Sequence, residues 1–177
     1  REIRTGLLHS RFPSFRREEV EDVWMAALGK DSPCRPHGSI LIATQIVEQS
    51  VDIDADYIVS EIAPVDMLLQ RMGRLWRHKR DVRPVSRPIL SIALSAPHPE
   101  TEDADAELDE ANADAYPLCF GMGRSYVYAP YVLERTYAAL RGRESVNIPA
   151  DIRKLLENVY ADEPECANAA IAEFKAE

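Results

Sequence analysis

The chain has 177 residues, 46% of them apolar, and a formal net charge of −9. That length suits one domain, or one domain with an appended segment, and the apolar share is ample for a core. No run approaches the roughly 18 apolar residues of a membrane span, and no long apolar segment follows Arg1–Arg4 as a signal peptide requires.

Cys34, Cys119 and Cys166 are widely spaced and odd in number. With His9, His37, His78 and His98 equally scattered, no metal-ligand pattern emerges. A reducing, cytoplasmic setting is the expectation. The charge is uneven. Residues 1 to 96 hold 14 Lys/Arg and 13 Asp/Glu, whereas residues 97 to 177 hold 7 and 17.

In chain order, Gly6-Leu7-Leu8 reads as a strand end, followed by a polar turn from His9 to Pro13. Ser14 is placed to cap the next helix. Val20, Val23, Trp24, Ala27 and Leu28 repeat at helical spacing, and Gly29 suits the stop. Trp24 reads as core. Lys30 to Gly38 holds two prolines and reads as a loop.

Ile40-Leu41-Ile42-Ala43 is an apolar run ended by Thr44, the pattern of a parallel-sheet strand buried on both faces. In such sheets ligands sit beyond the carboxyl ends of strands, where Thr44 and Gln45 fall. A polar turn to Ser50 leads to an acidic cluster, Asp52, Asp54 and Asp56. Tyr57-Ile58-Val59 forms a second apolar run. Val65 to Arg71 has helical spacing, with Val65, Leu68, Leu69 and Met72 on one stripe.

Arg71, Arg74 and Arg77 follow at intervals of three. They share one side if helical geometry persists. Alternatively Gly73 ends the helix and lets the backbone approach a ligand closely. From Gln70 to Arg87 there are seven basic residues against Asp81 alone, a candidate polyanion contact.

Ile89 to Leu94 is a further expected strand, and Pro97 and Pro99 end the compact part. Glu100 to Asp114 carries eight acidic residues and no basic one, so it reads as mobile. Tyr126 to Tyr128 reads as a short strand. Tyr131 to Leu140 reads as a helix burying Val132, Tyr137 and Leu140. Pro149 is expected in the first turn of another helix, with Ile152, Leu155, Leu156, Val159 and Tyr160 as its stripe.

Singly, an apolar run ending in threonine is an ordinary strand end, and a run of arginines an ordinary solvated face. Together and in order they mean more. ATQIVEQSVDID resembles motif V, and QRMGRLWRH motif VI, of superfamily 2 helicases. The wording of both resembles the CRISPR-associated helicase-nuclease of type I systems. His9-Ser10-Arg11-Phe12 is similar to that family's motif IV region, and YVYAPYVLERTYAAL and NIPADIRKLLENVY also look like it.

The resemblance implies an α/β fold: a RecA-like lobe with a mostly parallel sheet flanked by helices, plus a helical C-terminal appendage. Residues 1–96 would be the second RecA-like lobe, with a strand and helix expected ahead of Arg1. Residues 97–115 would be an acidic mobile linker, and 116–177 a helical appendage towards a further C-terminal domain. Asp109-Glu110-Ala111-Asn112 resembles an acidic Mg²⁺ box but follows motif VI, so it is set aside.

The function so implied is the C-terminal lobe of an ATP-driven, 3′-to-5′ single-stranded DNA translocase with an attached nuclease. A guide-RNA surveillance complex would recruit it to target DNA in antiviral defence. No G-x-x-x-x-G-K-[ST] occurs in the chain. ATP with Mg²⁺ would therefore be held mainly by a first RecA-like lobe outside these residues, and nuclease metal ions by another domain. The isolated chain is expected to be inactive.

By the same resemblance, Arg74 and Arg77 match the motif VI arginines that neutralise the transferring phosphoryl group, and Gln70 would bond near the phosphates. Asp52 would approach the nucleotide sugar or the coupling network, with Gly73 beside the cleft. Thr44 and Gln45 match motif V residues near the single-strand backbone. Ser50 stands where the wider superfamily has glycine. Arg71 is left open between ATP, DNA and a salt bridge to Asp52 or Asp54. The alternatives are another superfamily 2 helicase, acting on RNA or DNA, and a non-enzymatic module that binds a partner such as an inhibitor protein.

Overall fold

The structure, a computed structural model, describes residues 3–32, 35, 38–49, 51–94 and 127–161. The acidic segment, Ser50, Tyr126 and all three cysteines lie outside the described residues.

Strands β1 (Arg4–Leu8) and β2 (Ser39–Ala43) pair in parallel, Leu7 opposite Ile42 and Leu8 opposite Ala43. Parallel neighbours need a crossover, and helix α1 (Ser14–Leu28) lies in it. Trp24 and Ala27 of its stripe are buried, and Val20 and Leu28 pack on the core. Val23, counted in the same stripe, is exposed instead. Ser14 begins the helix rather than capping it; Pro13 holds the cap position, with no side-chain bond. Gly29 does close α1, its N–H donating to the Met25 carbonyl at 2.8 Å.

Helix and sheet come closest at Gly6, where a Cβ would lie 2.3 Å from the Trp24 ring. Gly6→Ala is expected to destabilise the fold by about 1–3 kcal/mol, the range for overpacking. Thermal melting checks this, and an unchanged midpoint would show that the ring has room to move.

The expectation that Ile40 to Ala43 is buried on both faces is corrected. Burial alternates along β2, with Ile40 and Ile42 more than half exposed. Successive strand residues point to opposite faces, and α1 covers only the face that includes Gly6. The core of this region is Leu8, Val51 and Ile53, surrounded by Met25, Leu41, Ala43, Ile46 and Val47.

Helix α2 (Ile46–Gln49) follows β2 directly. Strands β3 (Tyr57–Glu61) and β4 (Ile89–Ala93) form a second two-stranded sheet, with the Tyr57 and Ser91 hydroxyls 2.6 Å apart. Helix α3 (Val65–Met72) buries Val65 and Leu68 as its stripe requires. It ends at Gly73, whose N–H donates to the Leu69 carbonyl at 2.9 Å. Arg71 is thus helical, whereas Arg74 and Arg77 belong to the following loop.

The chain divides into two compact units, Arg1–Val59 with Leu69–Ser91, and Ser60–Leu68 with Ile92–Glu177. In the second, helices α4 (Pro130–Leu140) and α5 (Ile152–Tyr160) pack together. The buried pair on α4 is Leu133 and Thr136, so the expected set of Val132, Tyr137 and Leu140 is displaced around the helix. Leu155 and Val159 of α5 are fully buried, as the stripe predicts.

Pro130, not Pro149, takes the first-turn position of a helix; Pro149 lies in the turn before α5. Val127 and Tyr128 lie in a turn rather than a strand. Arg135 donates to the Asn158 and Ala161 carbonyls, satisfying the last turn of α5. Tyr160 donates to Asp66 at 2.5 Å, tying α5 to the first turn of α3. Burial, then that bond, raises the Tyr160 phenol above its usual range. Among the described residues no helix is long and apolar enough to cross a membrane.

Candidate functional site

The candidate residues meet in the first unit, where the turn after β2 faces the loop after α3. The Thr44 N–H donates to the Leu8 carbonyl at 3.1 Å, which holds the ends of β2 and β1 together. The Thr44 hydroxyl is buried without a hydrogen-bond partner. Gln45 is exposed and leads into α2.

Glu48 on α2 was not singled out by its sequence, yet it ties this turn to the arginines. Its buried carboxylate accepts from Arg71 Nε at 2.8 Å and Nη2 at 2.6 Å. Its carbonyl accepts from Arg74 Nη2 at 2.6 Å. Arg71 therefore has Glu48 as its carboxylate, not Asp52 or Asp54. The available signal was a lone acid in the turn before the acidic cluster, and nothing local marked it as buried.

The acidic cluster is extended, so alternate residues face opposite ways. Val51 and Ile53 enter the core, and Asp52, Asp54 and Asp56 each take a basic side chain. Asp52 pairs with Arg77 Nε, both groups about 40% exposed, and lies 3.4 Å from His78 Nε2. Asp54, with no exposed surface, accepts from Arg80 at 2.5 Å and from both terminal nitrogens of Arg83. Asp56 accepts from Arg83 at 2.9 Å and from Arg35 at 2.9 Å.

Burial alone would raise the Asp54 carboxyl. The hydrogen bonds and charges of Arg83 and Arg80 outweigh it and hold the group below its usual range. A depressed carboxylate contributes stability above its unfolded value, and that contribution is lost as pH falls through the folded one.

Within the candidate polyanion contact, most of the arginines are already paired. Arg71, Arg77, Arg80 and Arg83 are all matched by the chain's own carboxylates. Arg74 differs. Its Nε is buried without a partner, and its Nη2 donates to a carbonyl, not to a carboxylate. Burial first, then the charge of Arg77, lowers it below the usual arginine value, and Asp52 offsets this in part. A desolvated guanidinium beside a second one is set to receive an anion.

The loop's path is fixed at Ala55, whose N–H donates to the Arg74 carbonyl at 2.8 Å. In turn Trp76 N–H donates to the Ala55 carbonyl at 3.0 Å. Trp76 has φ of 48°, a left-handed conformation costing a non-glycine residue about 1–3 kcal/mol. Arg83 stacks on its ring at 4.9 Å. Gln70 is exposed on the last turn of α3, and Gly73 is exposed beside it. The donor set fits the oxygens of a phosphate. Among the described residues no group of three His, Cys, Asp or Glu is placed to hold a metal ion.

Residues 1–80 match a family model described as the C-terminal part of the CRISPR-associated nuclease/helicase Cas3. The chain is 40% identical over 157 residues to a Cas3 endonuclease/helicase of Thermus thermophilus, covering 89% of this chain and 15% of that protein. It is 34% identical to a Cas3 of Streptococcus thermophilus, over 87% of this chain and 14% of that one. Among solved structures, T. fusca Cas3 with AMPPNP superposes with a TM-score of 0.79 at 31% identity. That match covers 98% of this chain and 18% of that one. A chain of a CRISPR RNA-guided surveillance complex in a pre-nicking state gives 0.76 at 31% identity, over 97% of this chain and 20% of that one. The chain thus spans about a seventh of the curated relatives it matches. Its fold is the α/β, RecA-like C-terminal lobe of those structures. Motifs, geometry and these matches agree that the chain belongs to the Cas3 family of CRISPR-associated nuclease/helicases, in its C-terminal helicase region.

Proposed function

We propose that this lobe closes one wall of an ATP cleft and one side of a single-stranded DNA groove in a Cas3 helicase-nuclease. The observation that carries the ATP part is Arg74: half-buried, its Nε buried without a partner and its Nη2 bonded to the Glu48 carbonyl, not to a carboxylate. ATP with Mg²⁺ is held mainly by a first RecA-like lobe, and nuclease metals by another domain. Arg74 and Arg77 then meet the transferring phosphoryl group, and Gln70 bonds near the phosphates. Gly73 lets the backbone come close, and Asp52 lies on the sugar or coupling side. Arg71 acts through Glu48 to hold the cleft wall. Thr44 and Gln45 take the DNA backbone.

Residues 1–96 are the lobe, 97–115 the acidic linker and 116–177 the appendage. The protein works in the cytoplasm on DNA opened by a guide-RNA surveillance complex. Support comes from relatives named as nuclease/helicases, from the T. fusca protein with AMPPNP and with ATP, and from the pre-nicking complex. The same names weigh against an RNA helicase or a non-enzymatic module.

ATPase assays with and without nucleic acid test this. The full-length protein should hydrolyse ATP only with Mg²⁺ and should be stimulated by single-stranded DNA, not RNA. The isolated 177-residue chain should show no turnover, since it has no phosphate-cradling lysine motif. Magnesium-dependent turnover by the isolated chain, or stimulation by RNA alone, would contradict the proposal.

A further inference from the structure

The two arginines at the cleft are carried by a loop whose shape is set elsewhere, at Asp54. Asp54 is fully buried. Its carboxylate grips Arg80 and Arg83, two arginines that follow motif VI, through Oδ1 and Oδ2 together. Arg83 extends the grip to Asp56 at 2.9 Å, donates to the His78 carbonyl and covers the Trp76 ring. Arg80 reaches the Gly29 carbonyl at 2.8 Å, and the Asp54 N–H donates to the Leu28 carbonyl at 3.0 Å, so the cluster is fastened to the end of α1. Arg35 closes it from the other side, bonding Asp56 and the Asp54 carbonyl.

Between these anchors the loop passes through Trp76 in its left-handed conformation. A non-glycine residue stays there only when its surroundings over-determine it. The immediate neighbours of that turn are Arg74, whose carbonyl bonds Ala55, and Arg77, whose guanidinium reaches Asp52. Ala55 lies between Asp54 and Asp56, so the backbone bridge to the loop and the carboxylate grip on it share one short segment. Loosening the grip frees the turn to relax, and Arg74 and Arg77 would move with it.

We propose that Asp54 is a positioning residue: it clamps Arg83 and Arg80 so that the Trp76 turn holds Arg74 and Arg77 at a fixed setting towards the phosphoryl group. The inference rests on the ATP-cleft role of those two arginines. It needs no contact between Asp54 and nucleotide or DNA. A misplacement of about 1 Å from a change remote from the chemistry can cost about a hundredfold in rate.

The test uses the full-length protein with Asp54→Asn, which keeps the shape of the side chain and removes its charge. Arg83→Lys keeps the charge but loses the planar fork, and Arg77→Ala serves as reference. For each, kcat and KM for ATP are measured at saturating single-stranded DNA, with DNA affinity and melting temperature. Asp54→Asn should lower kcat by about a hundredfold, with KM and DNA affinity within about twofold of normal, the pattern of an interaction lost only in the transition state. Arg83→Lys should follow in the same direction, and it carries the test if Asp54→Asn does not fold. A lower melting temperature with normal kcat per folded molecule would overturn the proposal by making the cluster structural only. Normal kcat in Asp54→Asn beside a crippled Arg77→Ala would overturn the positioning alone. Normal kcat in Arg77→Ala would overturn both the positioning and the cleft role beneath it.

Discussion

Arg77→Ala in the full-length protein is expected to lower DNA-stimulated ATP turnover by about a thousandfold or more, the range for arginine fingers, with Arg74→Ala similar. As the γ-phosphoryl group leaves, charge spreads over its oxygens, and a guanidinium placed there stabilises that state more than bound substrate. The loss should therefore appear in kcat. Lysine should restore little, because it lacks the fork of donors. The two arginines start from different settings. Arg77 is paired with a half-exposed Asp52. Exposed pairs are worth about 1 kcal/mol or less, so exchange of Asp52 for phosphate oxygens costs little. Arg74 is half-buried, with its Nε shielded from water, and has no acid to leave. If both were only surface ion pairs, turnover would fall less than about tenfold, in keeping with that small pair energy.

The second large effect is expected at Glu48. Its carboxylate is 3% exposed and its partner Arg71 14%. Glu48→Ala removes the buried carboxylate that accepts two bonds from the Arg71 guanidinium, and breaking a buried pair from one side costs about 3–5 kcal/mol. Denaturant titration of the full-length variant measures it. Glu19→Ala provides the internal contrast, since Arg16 and Glu19 are each 60% exposed and such a pair contributes about 0.2–1 kcal/mol. A loss at Glu48 no larger than at Glu19 would mean that water reaches the Glu48–Arg71 pair.

What could be read in the residues depended on how local its cause is. The α3 stripe follows from spacing, and Val65 and Leu68 are buried as read; the stop at Gly73 is one of the two outcomes the residues left open. The burial of Trp24 follows from its place in a 3.6-residue repeat. Motifs V and VI were legible because each is a contiguous string. The pairing of charges was not. Glu48 meets Arg71 across 23 residues, and Asp54 meets Arg83 across 29. No periodicity links residues so far apart; only the path of the loop brings them together. For the same reason the seven basic residues read as a polyanion contact with no sign that four of them are matched by carboxylates. Strand β2 was misjudged on burial because an unbroken apolar run says nothing about what covers its second face.

The central claim is that Arg74 faces the triphosphate and not the DNA. The most direct measurement places ATP turnover and nucleotide-free single-stranded DNA affinity side by side in full-length Arg74→Ala. Turnover should fall about a thousandfold, with DNA affinity within about twofold of normal because Thr44 and Gln45 keep those contacts. Near-normal turnover with weakened DNA binding would contradict it and move Arg74 from the ATP cleft to the DNA groove.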